Sequence, residues 1–248
     1  MAQQESVEDT KTNLGEVLKE FSFEDDPIAS TFDSLLALRY FKLPAEADTN
    51  VFVNDSAVNS VDVSDVSDSI LSFRMGQLNE ESPFDLTYNP TVKKYIVLYS
   101  QRRKEQMSRM LGLAEYYFPL FESTLDKYDL PLELKYLAIV ESALNPKARS
   151  RVGAKGLWQF MYATGRVNGL AVSSYVDERC DPIKSTEAAC KFLSQLYRIF
   201  GDWNLALAAY NSGPGNVNKA IRRSGGKTDY WAIRSFLPRE TASYVPAF

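Results

Sequence analysis

Among the residues able to do chemistry, Glu141 occupies the position least suited to a resting charge. Leu134, Leu137, Ala138 and Glu141 fall at i, i+3, i+4 and i+7, the spacing of one apolar stripe on an amphipathic helix. A carboxyl group on a core-facing stripe is desolvated, which penalises its charged form and raises its pKa. An acid still protonated near neutral pH can protonate the leaving oxygen of an acetal or glycosidic bond. The structural alternative is a helix-terminal glutamate turned to solvent, or one paired with Arg149 or Arg151, because ion pairs also perturb carboxylates. Asn145-Pro146 predicts that the helix stops within a turn of Glu141, since the residue before proline is pushed out of the α region. The negative end of the helix dipole then disfavours the carboxylate further. Gly153 and Gly156, followed by Trp158-Gln159-Phe160-Met161, supply close backbone approach beside aromatic and amide groups suited to gripping a sugar.

The elements that must position these groups read as helices. Tyr95–Leu111 and Glu115–Tyr128 are predicted as two consecutive helices, with Pro119 near the start of the second, and Leu132–Leu144 as the helix carrying Glu141. Asp181-Pro182 supplies an N-cap and a proline at the first helical position, opening a helix to Phe200 that Gly201 ends. Asp202 caps Trp203–Tyr210, and Gly213-Pro214-Gly215 turns the chain into a helix through Arg223. Before residue 90 the character differs. Phe32, Leu35, Leu36 and Leu38 to Phe41 suit a short amphipathic helix docking on the main domain. Residues 44–70 alternate valine with Asp, Ser and Asn, which fits an extended segment, a surface loop or a linker. The expected organisation is an acidic, partly irregular N-terminal extension over 1–90 and a mainly α domain over 91–248.

Composition narrows the chemistry. There is no histidine, which excludes Ser-His-Asp and Cys-His nucleophiles and histidine-ligated metals. Two cysteines are too few for a cysteine-rich zinc cluster, so neither metal nor cofactor is expected. Perturbed carboxylates remain as the acid–base groups. The net charge of −4 hides a split: residues 1–90 carry 5 Lys and Arg against 18 Asp and Glu, residues 91–248 carry 23 against 14. The basic half suits a polyanionic partner or is a solvated surface. Nucleic acid is not expected, because zinc ligands, a phosphate loop and base-stacking strand pairs are all missing. Cys180 and Cys190 read either as a disulfide or as two small buried hydrophobes. With a helix from Pro182, Cys190 would lie about 12 Å along it, so a bridge requires a later start.

Three blocks carry a resemblance. Glu141-Ser142, Ser150 and Gly153-Ala154-Lys155-Gly156-Leu157-Trp158-Gln159-Phe160-Met161 form the first, and Ala208-Ala209-Tyr210-Asn211-Ser212-Gly213-Pro214-Gly215-Asn216-Val217 the second. Leu237-Pro238-Arg239-Glu240-Thr241-Ala242-Ser243-Tyr244-Val245 is the third. In this order, over about 110 residues, they resemble the soluble-type lytic transglycosylases that cut bacterial peptidoglycan, with wording closest to the membrane-bound lytic transglycosylase D subgroup. The resemblance is strongest from about Leu130 onward. It implies a lysozyme-like helical catalytic domain in which one glutamate acts as acid and then base. Glu141 would protonate the oxygen between N-acetylmuramic acid and N-acetylglucosamine, and the 2-acetamido oxygen would steady the anomeric centre. Glu141 would then take the C6 hydroxyl proton as a 1,6-anhydro ring closes.

Supporting roles follow from the same match. Ser142, Ser150, Gln159 and Asn211 would offer polar contacts to acetamido and hydroxyl groups, and Tyr210 would orient the acid or the acetamide. Met161 and Phe160 would wall the cleft, and Glu240 with Tyr244 would contact saccharide or peptide. By residue type alone Phe160, Met161 and Tyr244 read as core, and Asn211 as a helix C-cap. Tyr162 stands where the broader family commonly has proline. A lysozyme-type hydrolase would need a second carboxylate, from Asp177, Glu178, Asp181 or Glu240; a non-catalytic wall-binding protein would keep the fold without turnover. The resemblance places the protein in the periplasm or on the periplasmic face of the outer membrane, as a monomer bound to peptidoglycan strands. Wall-binding LysM modules are expected downstream. The opening residues read as a mature N-terminus behind an added methionine, with a signal peptide removed, and no run of eighteen apolar residues is present.

Overall fold

The computed structural model describes residues 58–63 and 66–248, all within one compact unit. The expected helix at Phe32–Phe41 and most of the 44–70 segment lie outside them. The described residues are mainly α-helical, as expected, with isolated β-bridges in place of strands. In chain order the principal helices are α1 (Asp68–Glu81), α2 (Pro90–Val97), α3 (Lys104–Lys127), α4 (Leu137–Ser142), α5 (Tyr162–Val167), α6 (Pro182–Phe200), α7 (Trp203–Ser212), α8 (Pro214–Arg223), α9 (Tyr230–Ile233) and α10 (Arg239–Ala247). No helix among the described residues is long and apolar enough to cross a membrane.

The core forms around α7, whose residues Trp203 to Ala209 are all buried. A helix apolar on nearly every side has to be enclosed, and α6, α8 and α10 pack around this one. Its start is as expected: Asp202 accepts a hydrogen bond from the Leu205 amide at 2.7 Å. The N-cap of α6 also forms, with Asp181 accepting from the amides of Ile183 and Lys184 ahead of Pro182. Gly201 ends α6 in a left-handed turn at φ +65°, a conformation glycine adopts without a Cβ penalty. Because α6 starts at Pro182, Cys180 and Cys190 stay apart as free thiols, the second fully buried.

Two helix boundaries differ from expectation. The break expected between Leu111 and Glu115 is missing, and α3 runs unbroken through Gly112 and Pro119. The chain breaks earlier, at a π-helical turn over Leu98–Arg102. Proline inside a helix costs about 3 kcal/mol. Met110, Ala114, Tyr117, Phe121 and Leu125 are buried along one face of α3, and each large apolar side chain contributes about 1.5–3 kcal/mol. Burial outweighs the lost bond. The helix carrying Glu141 starts as a 3-10 segment over Leu132–Tyr136 that widens into α4, ending at Ser142 rather than Leu144. Phe84, ahead of residue 90, belongs to the main core and rests against Trp203 and Phe248.

Candidate active site

Glu141 lies in the last turn of α4. The stripe that delivers it is buried as its spacing predicts: Leu134, Leu137 and Ala138 are fully enclosed. Past Ser142 the chain leaves the helix through Ala143 and Leu144, both left-handed at φ +53° and +60°. The Tyr244 hydroxyl, from α10, donates to Glu141 Oε1. Burial pushes the Glu141 carboxyl up to about 8, opposed by the Tyr244 hydrogen bond and reinforced by the Glu240 carboxylate. Glu141 nevertheless keeps part of its surface open. It is desolvated by its walls without being wholly enclosed.

Two phenols flank it. Tyr210, from α7, donates to the Trp158 carbonyl at 2.7 Å. Burial and the nearby Glu141 hold both Tyr210 and Tyr244 well above the ordinary phenol range, so both remain neutral donors. Asn211 follows Tyr210, and its Oδ1 accepts from Thr241 Oγ1 at 2.8 Å. Thr241 and Tyr244 are three apart on α10 and share a face. One helix therefore touches both Glu141 and Asn211.

The loop after α4 forms the opposite wall. Lys155 and Phe160 exchange backbone hydrogen bonds, each at 3.1 Å. Ser142 is buried, and its hydroxyl bonds the carbonyls of Ala138 and Leu157, tying α4 to the loop. Ser150 Oγ accepts from the Ala154 amide and shapes the turn. Gln159 sits at φ +46°, and its Nε2 donates to the carbonyls of Ala148 and Gly156. Met161 and Glu240 are exposed, and Phe160 is buried. Tyr162 opens α5 next to Met161.

Residue chemistry alone missed the outer support of this loop. Arg179 is buried; its guanidinium grips Asp177 through two bonds of 2.8 and 2.7 Å and donates to the carbonyls of Gly153 and Phe160. Burial alone would raise Asp177, but Arg179 and Lys155 hold its carboxyl below the usual range. The missing Cβ of Gly156 would lie 1.8 Å from the Arg179 carbonyl oxygen, so glycine is required there. The other candidate second carboxylates are engaged: Glu178 accepts from Lys184 and from the Ala171 amide, and Asp181 caps α6. Glu240 is the one whose charge reaches Glu141. No group of three or more Cys, Asp or Glu among the described residues could hold a metal ion.

Comparison with known proteins places a family model on this region: residues 119–233 match the transglycosylase SLT domain. The membrane-bound lytic murein transglycosylase D of Escherichia coli K12 is 42% identical over 149 residues, covering 58% of this chain and 32% of that protein. The soluble lytic murein transglycosylase of the same organism is 36% identical over 115 residues, covering 44% of this chain and 18% of its own length. The chain thus spans about a third or less of these relatives. Among solved structures, the 70 kDa soluble lytic transglycosylase of Escherichia coli aligns with 87% of this chain and 39% of its own, at 21% identity and a TM-score of 0.49.

Proposed function

We propose that this chain, which carries a transglycosylase SLT domain over residues 119–233 and is similar to the membrane-bound D subgroup, is a lytic transglycosylase of peptidoglycan. The observation that carries the proposal is a single partly open glutamate raised to about 8 and flanked by neutral tyrosine hydroxyls. Such a group is largely protonated at neutral pH and can donate to a glycosidic oxygen. Once it has donated, Tyr244 already stands ready to stabilise the carboxylate, which then acts as base.

In the first step the Glu141 proton moves to the oxygen between N-acetylmuramic acid and N-acetylglucosamine, and the C1–O bond breaks. The substrate's acetamido oxygen steadies C1. In the second step the C6 oxygen bonds to C1 and its proton returns to Glu141, giving a 1,6-anhydro end without water. Asn211, Gln159, Met161, Glu240 and Tyr244 would line the glycan's path, with Ser142 and Ser150 shaping it from behind. The catalytic part spans residues 91–248, and the acidic 1–90 stretch is an extension to it. We place the protein on the periplasmic side of a diderm envelope, acting as a monomer with LysM modules downstream.

A hydrolytic reading has one specific support, the Glu240 carboxylate near Glu141, which could hold a water. Mass spectrometry of products released from purified peptidoglycan separates the two. The transglycosylase yields muropeptides lighter by one water than reducing ones, lost in Glu141→Gln. Reducing ends would establish the hydrolase, and no product from the parent protein would leave a wall-binding protein.

A further inference from the structure

We propose that the cationic face of α8 is a second binding surface for the substrate, taking the carboxylates of the stem peptide carried by the glycan strand in the cleft. This rests on the glycan-cleaving reading above. Val217 and Ala220 are buried and Ile221 packs on the core. Lys219, Arg222 and Arg223, at i, i+3 and i+4, therefore fall together on the opposite, outward face. All three are exposed, as is Lys227 just past the helix end. Between Asp202 and Asp229 the chain carries no carboxylate, and Asp229 is itself engaged, accepting from the Ala232 amide at 2.7 Å. None of the four cations forms an ion pair among the described residues, whereas Lys127, Lys135, Lys155 and Lys184 each pair with a carboxylate. Cations at a helix C-terminus complement its dipole. That accounts for Arg222 and Arg223 in the last turn, but not for Lys219 before it or Lys227 beyond it.

The chain itself joins this surface to the site. α7 ends at Ser212, directly after Tyr210 and Asn211, and Gly213 at φ +85° turns straight into Pro214 at the start of α8. At 1.5 Å per residue, Lys219 lies about 8 Å and Arg223 about 14 Å along α8 from Pro214. A stem peptide of about four residues spans about 13 Å when extended. A stem on a muramic sugar in the cleft is thus long enough to reach the cations, and its free carboxylates supply the charge that α8 lacks. Exposed ion pairs are individually weak, but contacts made by a ligand already held at one end gain from the tether. The glycan makes the first contact and the peptide the second. That tether favours a stem peptide over an anionic bilayer, which would meet α8 without engaging Glu141.

The test is binding without turnover, in the Glu141→Gln protein, of purified glycan strands with their stem peptides and of the same strands stripped of them by an amidase. Stem-bearing strands should bind more tightly, by a margin that shrinks as salt is raised. Lys219→Gln, Arg222→Gln and Arg223→Gln together should cut that preference about tenfold and leave the stripped strands bound as before. Arg102→Gln, Lys104→Gln and Arg109→Gln together, an equal loss of charge elsewhere, should leave the preference intact, with both variants melting as folded proteins. Binding indifferent to stems, a preference that survives the α8 changes, or equal losses from the two sets would overturn the proposal. So would α8 changes that release the protein from anionic phospholipid vesicles and leave the stem preference untouched, which would assign the face to a bilayer. A stem preference that depends on α8, in a protein whose intact Glu141 form releases no anhydro ends, would instead sink the transglycosylase reading and leave the α8 assignment standing.

Discussion

Replacing Glu141 by glutamine should stabilise the protein, and increasingly so as pH rises. A glutamate carboxyl ordinarily titrates near 4.5, and this one is held at about 8 in the fold. Between these values the folded state keeps a proton that the unfolded chain has already released, so stability falls as pH increases through the interval. Below about 4.5 both states are protonated and there is no loss. The gap of about three and a half pH units corresponds to about 5 kcal/mol once both states are ionised, and to about 3 kcal/mol at pH 7. Because Glu141 keeps some open surface, solvent screens part of this, and about 1.5–2 kcal/mol is the expected size at pH 7. Glutamine cannot ionise, and its side-chain oxygen can still accept from Tyr244. For a domain of this size the gain corresponds to about 3–8 °C in Tm. Melts of parent and Glu141→Gln at pH 4.5, 6 and 7.5 should coincide at the lowest pH and diverge above it. A difference that does not change with pH, or a glutamine variant less stable at pH 7.5, would refute the buried-acid account.

The two groups acting on Glu141 should move its titration in opposite directions. Tyr244→Phe removes a hydrogen bond that favours the carboxylate, so the alkaline limb of the kcat/KM profile should shift upward; Glu240→Gln removes a repelling charge and should shift it downward. Shifts of the same sign in both would mean that the limb reports another group. Gly156→Ala should cost at least about 3 kcal/mol, because its Cβ would overlap the Arg179 carbonyl oxygen from a backbone at φ +85°. Urea unfolding measures this, and a loss below about 1 kcal/mol would show that the loop can shift.

Local patterns revealed what local forces decide. The stripe through Leu134, Leu137 and Ala138 located Glu141 because burial and helical period act within a few residues. The caps at Asp181 and Asp202 were legible because a capping side chain bonds an amide two or three residues on. The break expected between Leu111 and Glu115 failed for the converse reason: what carries α3 on through Gly112 and Pro119 is the burial of residues such as Tyr117 and Phe121, which depends on partners such as Trp158 far along the chain. The pairing of Thr241 with Asn211 spans 30 residues and that of Tyr244 with Glu141 spans 103, beyond any periodicity. Motif order grouped Tyr210, Asn211 and Tyr244 with Glu141, but it could not show that the buried Ser142 hydroxyl bonds the Ala138 and Leu157 carbonyls. A serine next to a candidate acid looks the same in sequence whether it binds substrate or braces a loop.

The site also gathers the local costs of the fold. Ala143, Leu144 and Gln159 all hold left-handed backbone without being glycine, and Glu141 carries a proton the unfolded chain would release at neutral pH. Residues in such conformations persist only where their surroundings over-determine them. Ser142 bonds Leu157 from the helix side, Tyr210 bonds Trp158 from the core, and Arg179 bonds Gly153 and Phe160 from outside. Three directions of support converge on one short loop. That is more than packing alone requires, and it is what holding an acid against a sugar to a fraction of an ångström would demand. Strain next to the acid and rigidity behind it are therefore one arrangement: the loop can stay strained because the helices carrying Ser142 and Tyr210, together with the Arg179 clamp, leave it no relaxed alternative.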